Sequence, residues 1–533
     1  MLVPLVTAGL LWLGLPGGGN LWPLLFVALV PFLLTVLRPA AAPPGRLVAA
    51  EGLSLSGVAV CGVLTGLCHF LLLLYWIVIV LGRYGGLPLY LTIPALVLLA
   101  FYMSLYFGLF ALAARLFAVH IPLPFSLWLM PAAWVALDWV RSFLFTGFPW
   151  MDPGYGLAHV PWLIQSAELW GHYGLTYLLL LINTLVALLI LAGTKKKGQL
   201  GLIMPVILLC SIVALYSLLR WPQLERQMAA SDSMHIGVVQ GNIAQDEKWS
   251  PGLQQKTLEN YIGQSQELTK EGRSVLVVWP ETALPFYAVD HPLLPLVRDL
   301  AVQEQIALLT GAPWFKQPAA SDQDMETSYY NSALLVDAGG RIADIYSKSH
   351  LVPFGEYVPL RTMLPFLAPL VEAVGDFSAG SIQQALTCQN ARIGVLICFE
   401  SIFPDIARQW VEAQANVLVN LTNDAWYGRS SAPHHSLAMA VLRSVETRRS
   451  MVRAANTGFS GFIDPLGRLQ QVSPLFEPWA GSAEVVLMEE KTWFVRGGYL
   501  FAPFCLVLAL VSVLWVVAFK PGLKQVKNPY INC

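Results

Sequence analysis

The chain begins with a succession of apolar runs, and that pattern restricts the fold more than any other feature. The runs read at about 2–15, 21–37, 54–81, 92–119, 123–143, 173–193 and 200–219, with an eighth near 499–519. In a bilayer every backbone N–H and C=O must be satisfied within the chain, so such runs predict membrane-spanning helices. Composition agrees: 56% of the 533 residues are hydrophobic and only 12% are charged, against roughly 25% charged in a soluble protein. The first run is short and starts without Lys or Arg. It therefore lacks the charged leading region of a secretory signal and reads as a trimmed span, with a re-entrant or interfacial piece as the alternative.

Orientation follows from the short connections. Arg38, Arg46, Arg115, Lys195, Lys196, Lys197, Lys520, Lys524 and Lys527 fall on one side when the runs are counted alternately, and Arg83, Arg141 and Arg220 on the other. The positive-inside bias makes the first side cytoplasmic, which places both termini inside and the long polar segment outside. The connection from about 144 to 172, with Phe148, Trp150 and Trp162 among Pro and Gly, suits an interfacial turn belt. Its alternative role is to line a lipid entry groove. Asp138 is an intramembrane carboxylate one helical turn from Arg141, and an ion pair is expected between them.

From about 232 to 490 charges return, and buried strands alternate with amphipathic helices, the pattern of an α/β domain. The expected organisation is a transmembrane domain at 1–225, a catalytic domain at 232–490, and a last span with its tail at 495–533. Strands are predicted at 234–240, 274–281, 306–311, 330–337, 341–348, 392–398 and 416–421, with a strand pair around 464–467 and helices near 254–269, 292–304, 404–410 and 433–448. This order suits a two-sheet sandwich with outer helices.

Three of these strands end on residues with complementary chemistry. Glu281 follows the strand from Ser274, Lys348 closes the strand from Arg341, and Cys398 closes the strand from Arg392. A carboxylate can take a thiol proton, an ammonium can hold a developing oxyanion, and a thiolate is a strong nucleophile. Each has a plainer reading: Cys398 as a small buried hydrophobe, Glu281 and Lys348 as solvated strand ends. Cys388 and Cys398 are the cysteines in the polar part and allow a disulfide in an oxidising compartment, which spacing alone does not establish. No zinc-like Cys/His spacing, CxxC, GxSxG, Walker or dinucleotide glycine pattern occurs. A net charge of −1 without a basic patch gives no sign of nucleic-acid binding.

The motifs carrying these residues are Trp279-Pro280-Glu281, then Lys348 with Pro353-Phe354-Gly355-Glu356, then Cys398-Phe399-Glu400-Ser401. In this order they resemble the nitrilase superfamily. With the apolar runs they resemble its membrane branch, the apolipoprotein N-acyltransferases, over essentially the whole chain. The resemblance implies an αββα sandwich, with Glu281 as base, Lys348 as oxyanion stabiliser and Cys398 as nucleophile. It also implies supporting roles for Glu356 and Glu400. Phe399 stands where many relatives carry Tyr, which puts a hydroxyl role there in doubt, though its amide remains an expected oxyanion donor.

Trp249, Asn331 and Phe366 are candidate substrate or lid residues. Phe366 lies in an apolar, proline-interrupted insertion at 360–374. Asn423 and the runs at 423–428 and 453–458 read as mainly architectural. The implied activity is transfer of a phospholipid acyl chain, through a thioester, to the N-terminal α-amine of a diacylglyceryl-cysteine apolipoprotein. No cofactor or metal is expected. The implied setting is the bacterial inner membrane, with a multi-pass monomer whose catalytic domain faces the periplasm.

Three rivals are distinguishable. A membrane-tethered amidase or thioesterase would share the triad and pass the acyl group to water. A Cys-His hydrolase would pair Cys398 with His434 or His435. A transporter with an outside binding domain would need more polar groups within its spans than Glu51, His69, Asp138 and a few near helix ends.

Overall fold

The apolar runs are helical. The structure, a computed structural model, describes residues 2–38, 52–192, 199–245, 248–270, 274–317, 327–357 and 376–519. Helices Leu55–Leu73, Leu89–His120, Leu123–Arg141, Ala167–Ala192, Gln199–Ala230 and Gly498–Phe519 are each long and apolar enough to cross a membrane. The first two runs form the shorter helical stretches Leu2–Gly14 and Trp22–Leu37. The third run stops at Leu73 rather than 81. Its apolar continuation conceals a break at Tyr75, whose hydroxyl accepts the Ser431 N–H at 3.0 Å. The seventh run continues to Ala230 because Gln223, Glu225, Arg226 and Gln227 are good helix formers despite their polarity. The basic residues at 46, 195–197 and 520–527, and the insertion carrying Phe366, lie outside the described residues.

The chain divides into two compact units: Met1–Arg220 with Arg429–Ala438 and Arg496–Cys533, and Trp221–Gly428 with Met439–Val495. In the first unit, small residues let helices approach closely, as apolar surroundings favour. A Cβ on Gly62 would come within 2.6 Å of the Phe107 carbonyl, and one on Gly66 within 2.8 Å of Ser104 Cα, so Leu55–Leu73 lies directly against the backbone of Leu89–His120. Asp138 pairs with Arg141 at 3.0 Å as expected. Arg141 also pairs with Asp152, whose other oxygen meets His172 Nε2 at 2.9 Å. All four side chains are buried, so the guanidinium balances two carboxylates that burial would otherwise penalise heavily.

The second unit holds two six-stranded sheets. The first has the order β12-β1-β2-β3-β4-β5, formed by Trp479–Val486, Ser233–Gln240, Leu276–Val278, Ala307–Lys316, Ser328–Val336 and Ile342–Ser347 respectively. The second runs β11-β10-β9-β8-β7-β6, formed by Leu469–Gln470, Gly461–Ile463, Ser450–Ala455, Val417–Thr422, Ala391–Ile397 and Leu386–Cys388. Parallel ladders β1–β2–β3 and β7–β8–β9 form the middles, which is why these strands read as continuous apolar runs. The sheets meet through β1 with β9 and β4 with β7. Helix Gln254–Thr269 packs on β1 and β12, and Pro404–Glu412 on β7. The domain is the expected two-sheet α/β sandwich with outer helices.

Candidate active site

Glu281 is positioned by what cannot pair after β2. Pro280 has no N–H, so the ladder stops there and the chain turns. Trp279 N–H still donates to the Leu309 carbonyl at 2.8 Å, and the Pro280 carbonyl accepts Gly311 N–H at 3.1 Å. A Cβ at residue 311 would stand 2.4 Å from Thr282 N and 2.6 Å from Glu281 Cα, so only glycine lets β3 support the glutamate this closely. Thr282 itself has φ +46°.

Lys348 follows β5 in register with β4, its N–H donating to the Asn331 carbonyl at 2.8 Å. The turn beyond it returns Glu356 to the ammonium, with Lys348 Nζ 2.9 Å from Glu356 Oε1 and 3.9 Å from Glu281 Oε1. Asn331 Nδ2 donates to both carboxylates, 2.8 Å to Glu281 Oε1 and 2.8 Å to Glu356 Oε1. Val352 N–H donates to Glu356 Oε2 at 2.8 Å. Asn331 thus ties the two acids through its side-chain amide and the Lys348 backbone through its carbonyl.

Cys398 closes β7 with φ +51°, a backbone region rare outside glycine and frequent at active sites. The cysteine is partly buried and free, as is Cys388, so the two form no disulfide. In the neighbouring strand β8, Thr422 Oγ1 donates to Asp424 Oδ1 at 2.9 Å. Two residues past the thiol, Glu400 ties the two sheets together. Its Oε1 accepts from Tyr346 Oη, Ser349 N and Ser349 Oγ, each at 2.7 Å, and from His350 N at 3.2 Å, while Oε2 accepts Ile397 N–H at 2.7 Å.

Glu281, Lys348 and Glu356 are 7%, 1% and 8% exposed, so their charges depend on one another rather than on water. Burial raises the Glu281 carboxyl and Glu356 adds to that, while Lys348 opposes it. Burial works against the Lys348 ammonium too, yet the Glu356 and Glu281 carboxylates outweigh it and hold the lysine above its ordinary range. Burial, then the Glu281 charge, pushes the Cys398 thiol up to about 12, with Lys348 pulling the other way. At neutral pH Cys398 is therefore a thiol that the Glu281 and Lys348 charges influence in opposite directions.

The structure thus brings Glu281, Lys348, Glu356 and Asn331 into direct contact, with Glu281 and Lys348 both acting on Cys398. Phe399 is buried against His350 and Phe403. Trp249 is 48% exposed. His435 lies in the first compact unit, where Trp150 Nε1 donates to its Nδ1 at 3.1 Å, so that nitrogen is not available to a thiol. Asn423 bonds Gln245 and Asn456 at 2.7 and 3.0 Å, holding the loop after β1.

Sequence reasoning missed one group on that loop. Lys248 is 2% exposed, and its Nζ donates to the backbone carbonyl of Glu281 at 3.0 Å. A loop lysine beside Asp246, Glu247 and Trp249 reads as solvated, and no local signal distinguishes it. Among the described residues no group of three or more His, Cys, Asp or Glu side chains is arranged to hold a metal ion.

The chain also resembles known proteins along its length. Residues 7–185 match the family model described as the apolipoprotein N-acyltransferase N-terminal domain, and residues 235–499 match that of the carbon-nitrogen hydrolases. The apolipoprotein N-acyltransferase of Geobacter metallireducens is 36% identical over 526 residues, which cover 97% of this chain and 95% of that one. The chain belongs to the apolipoprotein N-acyltransferase family. Other members of the apolipoprotein N-acyltransferase family align over less of it. That of Gloeobacter violaceus is 35% identical over 72% of this chain and 70% of its own. That of Methylococcus capsulatus is 34% identical over 79% and 80%. The protein is therefore a multi-pass membrane acyltransferase with a carbon-nitrogen hydrolase domain.

Proposed function

We propose that the enzyme moves an acyl chain from a phospholipid to the N-terminal α-amine of a diacylglyceryl-cysteine apolipoprotein through a thioester on Cys398. The observation that carries this reading is Lys348 held between two carboxylates, one of which, Glu281, acts on the thiol. In the first half, Glu281 takes the thiol proton and the sulfur attacks the ester carbonyl carbon. The oxyanion forms against Lys348 and the Phe399 amide. Collapse expels the lysophospholipid alkoxide, which takes the proton from Glu281. In the second half an amine attacks the thioester, Glu281 takes a proton from its nitrogen, and the departing thiolate recovers that proton from Glu281. Removing one donor to such an oxyanion typically costs about 3–4 kcal/mol.

Glu356 and Asn331 hold the base and the cation in register, and Glu400 holds Ser349 beside Lys348. In this scheme residues 1–225 and 495–533 form the membrane part and 232–490 the catalytic part. The basic connections support a catalytic part on the periplasmic side of the bacterial inner membrane. The enzyme acts as a monomer.

The test is mass spectrometry of the purified full-length protein after exposure to phospholipid. An acyl adduct on Cys398, discharged by a diacylated lipopeptide and only slowly by water, is expected. Discharge to water as fast as to the amine would favour a thioesterase. Activity without any adduct on Cys398 would refute the thioester route.

A further inference from the structure

The second half-reaction has a proton problem that the triad alone does not solve. An α-amine with a pKa of about 8 arrives at neutral pH largely as an ammonium. Two protons must leave its nitrogen before the amide is complete. Glu281 can hold one and return it to the departing thiolate, but the other needs a separate acceptor. Lys348 cannot serve, because Glu356 at 2.9 Å and Glu281 at 3.9 Å keep it charged.

Lys248 differs in each respect that matters. Its Nζ is buried, and among the described residues its only hydrogen-bond partner is a neutral acceptor, the Glu281 carbonyl at 3.0 Å. A neutral amine can still donate that bond, more weakly than an ammonium, and among the described residues no carboxylate pairs with Lys248 Nζ to hold the charge. The titratable groups facing it are Glu281 and Cys398 and, through the Glu281 carboxylate, Lys348 and Glu356. Its loop is pinned: Lys248 N–H donates to the Ala244 carbonyl at 3.1 Å, and Gln245 accepts from Asn423 at 2.7 Å.

We propose that Lys248, in the fraction of enzyme where its amine is neutral, takes the first proton from the acceptor's α-ammonium at the thioester stage. Burial lowers its pKa to about 8, against the pull of Glu281 and Cys398, which makes that transfer nearly thermoneutral. The step then balances. The ammonium gives one proton to Lys248, and the freed amine forms the C–N bond at the thioester carbonyl as the C=O pair moves to oxygen. Glu281 removes the second proton, the C–S bond breaks, and the Cys398 thiolate recovers that proton from Glu281. Lys248 returns its proton to solvent.

The inference rests on the thioester reading above, and the experiment separates the two. Full-length wild type, Lys248→Met and Lys248→Arg are acylated with phospholipid. Loss of the Cys398 adduct is then followed by mass spectrometry from pH 6 to 9, with a diacylated lipopeptide or with hydroxylamine, which is already neutral at pH 7. Adduct formation in each variant serves as its folding control. Discharge to the peptide amine is expected to fall roughly 10-fold or more at pH 7 in both variants. It should recover toward pH 9, while discharge to hydroxylamine keeps pace with wild type.

Restoration by arginine, an equal loss with hydroxylamine, or failure of both variants to form the adduct would overturn the assignment alone. A wild-type enzyme that acylates peptide without ever carrying an acyl group on Cys398 would overturn the thioester reading and this assignment with it.

Discussion

Replacing Glu400 with glutamine tests how Cys398 and Lys348 are held together. The carboxylate receives five hydrogen bonds, four on Oε1 and one on Oε2, and every partner used is a donor. A side-chain amide of the same shape must turn its NH2 toward one side. The less costly orientation faces Ile397 N–H, which loses that bond and sets two donors against each other. A hydrogen bond to a charged acceptor contributes about 1.5–3 kcal/mol, and the four remaining bonds weaken as the acceptor becomes neutral.

The total is about 3 kcal/mol, or roughly 100-fold if it falls entirely on the reactive geometry. The assay is the rate of acyl-adduct formation on Cys398 beside the thermal unfolding midpoint. The expected outcome is a large loss of rate with a lower midpoint, because Ser349, next to Lys348, is released. A variant acylated within about threefold of wild type at an unchanged midpoint would show that Glu400 does not couple the two sheets.

Three further outcomes follow from the same geometry. Glu281→Gln should reduce acylation by roughly 100-fold or more without lowering the unfolding midpoint at neutral pH. Burial raises this carboxyl in the folded state, so its contribution to stability is present at low pH and lost as pH rises through the raised pKa; a drop in midpoint at pH 7 would contradict that sign. Gly311→Ala should slow acylation and lower the midpoint together, since the added methyl meets Thr282 N and Glu281 Cα, and a silent substitution would show that this support is dispensable. Arg141→Leu leaves Asp138 and Asp152 buried without their shared cation, at a cost of about 3–5 kcal/mol, read as loss of folded protein in detergent; the added substitution Asp152→Asn should recover part of it.

The residues delivered by buried strands were legible because burial on both faces leaves an apolar run whose end is marked by the first charged side chain. That is how β2 announced Glu281, and β7 announced the turn that carries Cys398 and Glu400, whereas β5, a half-exposed edge strand, announced Lys348 by its alternation. Strand β12 was not legible, although it pairs with all eight residues of β1 from Ser233↔Val486 to Gln240↔Trp479. It is half-exposed, carries Gly481 and Ser482, and finds its partner about 250 residues away. β6 is three residues long and equally silent. Asp138–Arg141 could be read from helical spacing, whereas Asp152 and His172 join that network only through the fold. Lys248 escaped for the same reason: nothing in a loop's sequence says that it will be folded inward.

The reactive groups are divided between layers. Glu281 and Lys348 hang from the first sheet, and Cys398 from the second. Among the described residues no β-ladder spans that division, so the side chains packed between the layers, with the Glu400 hydrogen bonds, set how far Cys398 stands from Glu281. Trimming one methyl group from an interlayer residue should therefore alter turnover before it alters folding. The proposed encounter of thiol and carboxylate then depends on how far the layers compress, and hydrostatic pressure becomes a way to measure it.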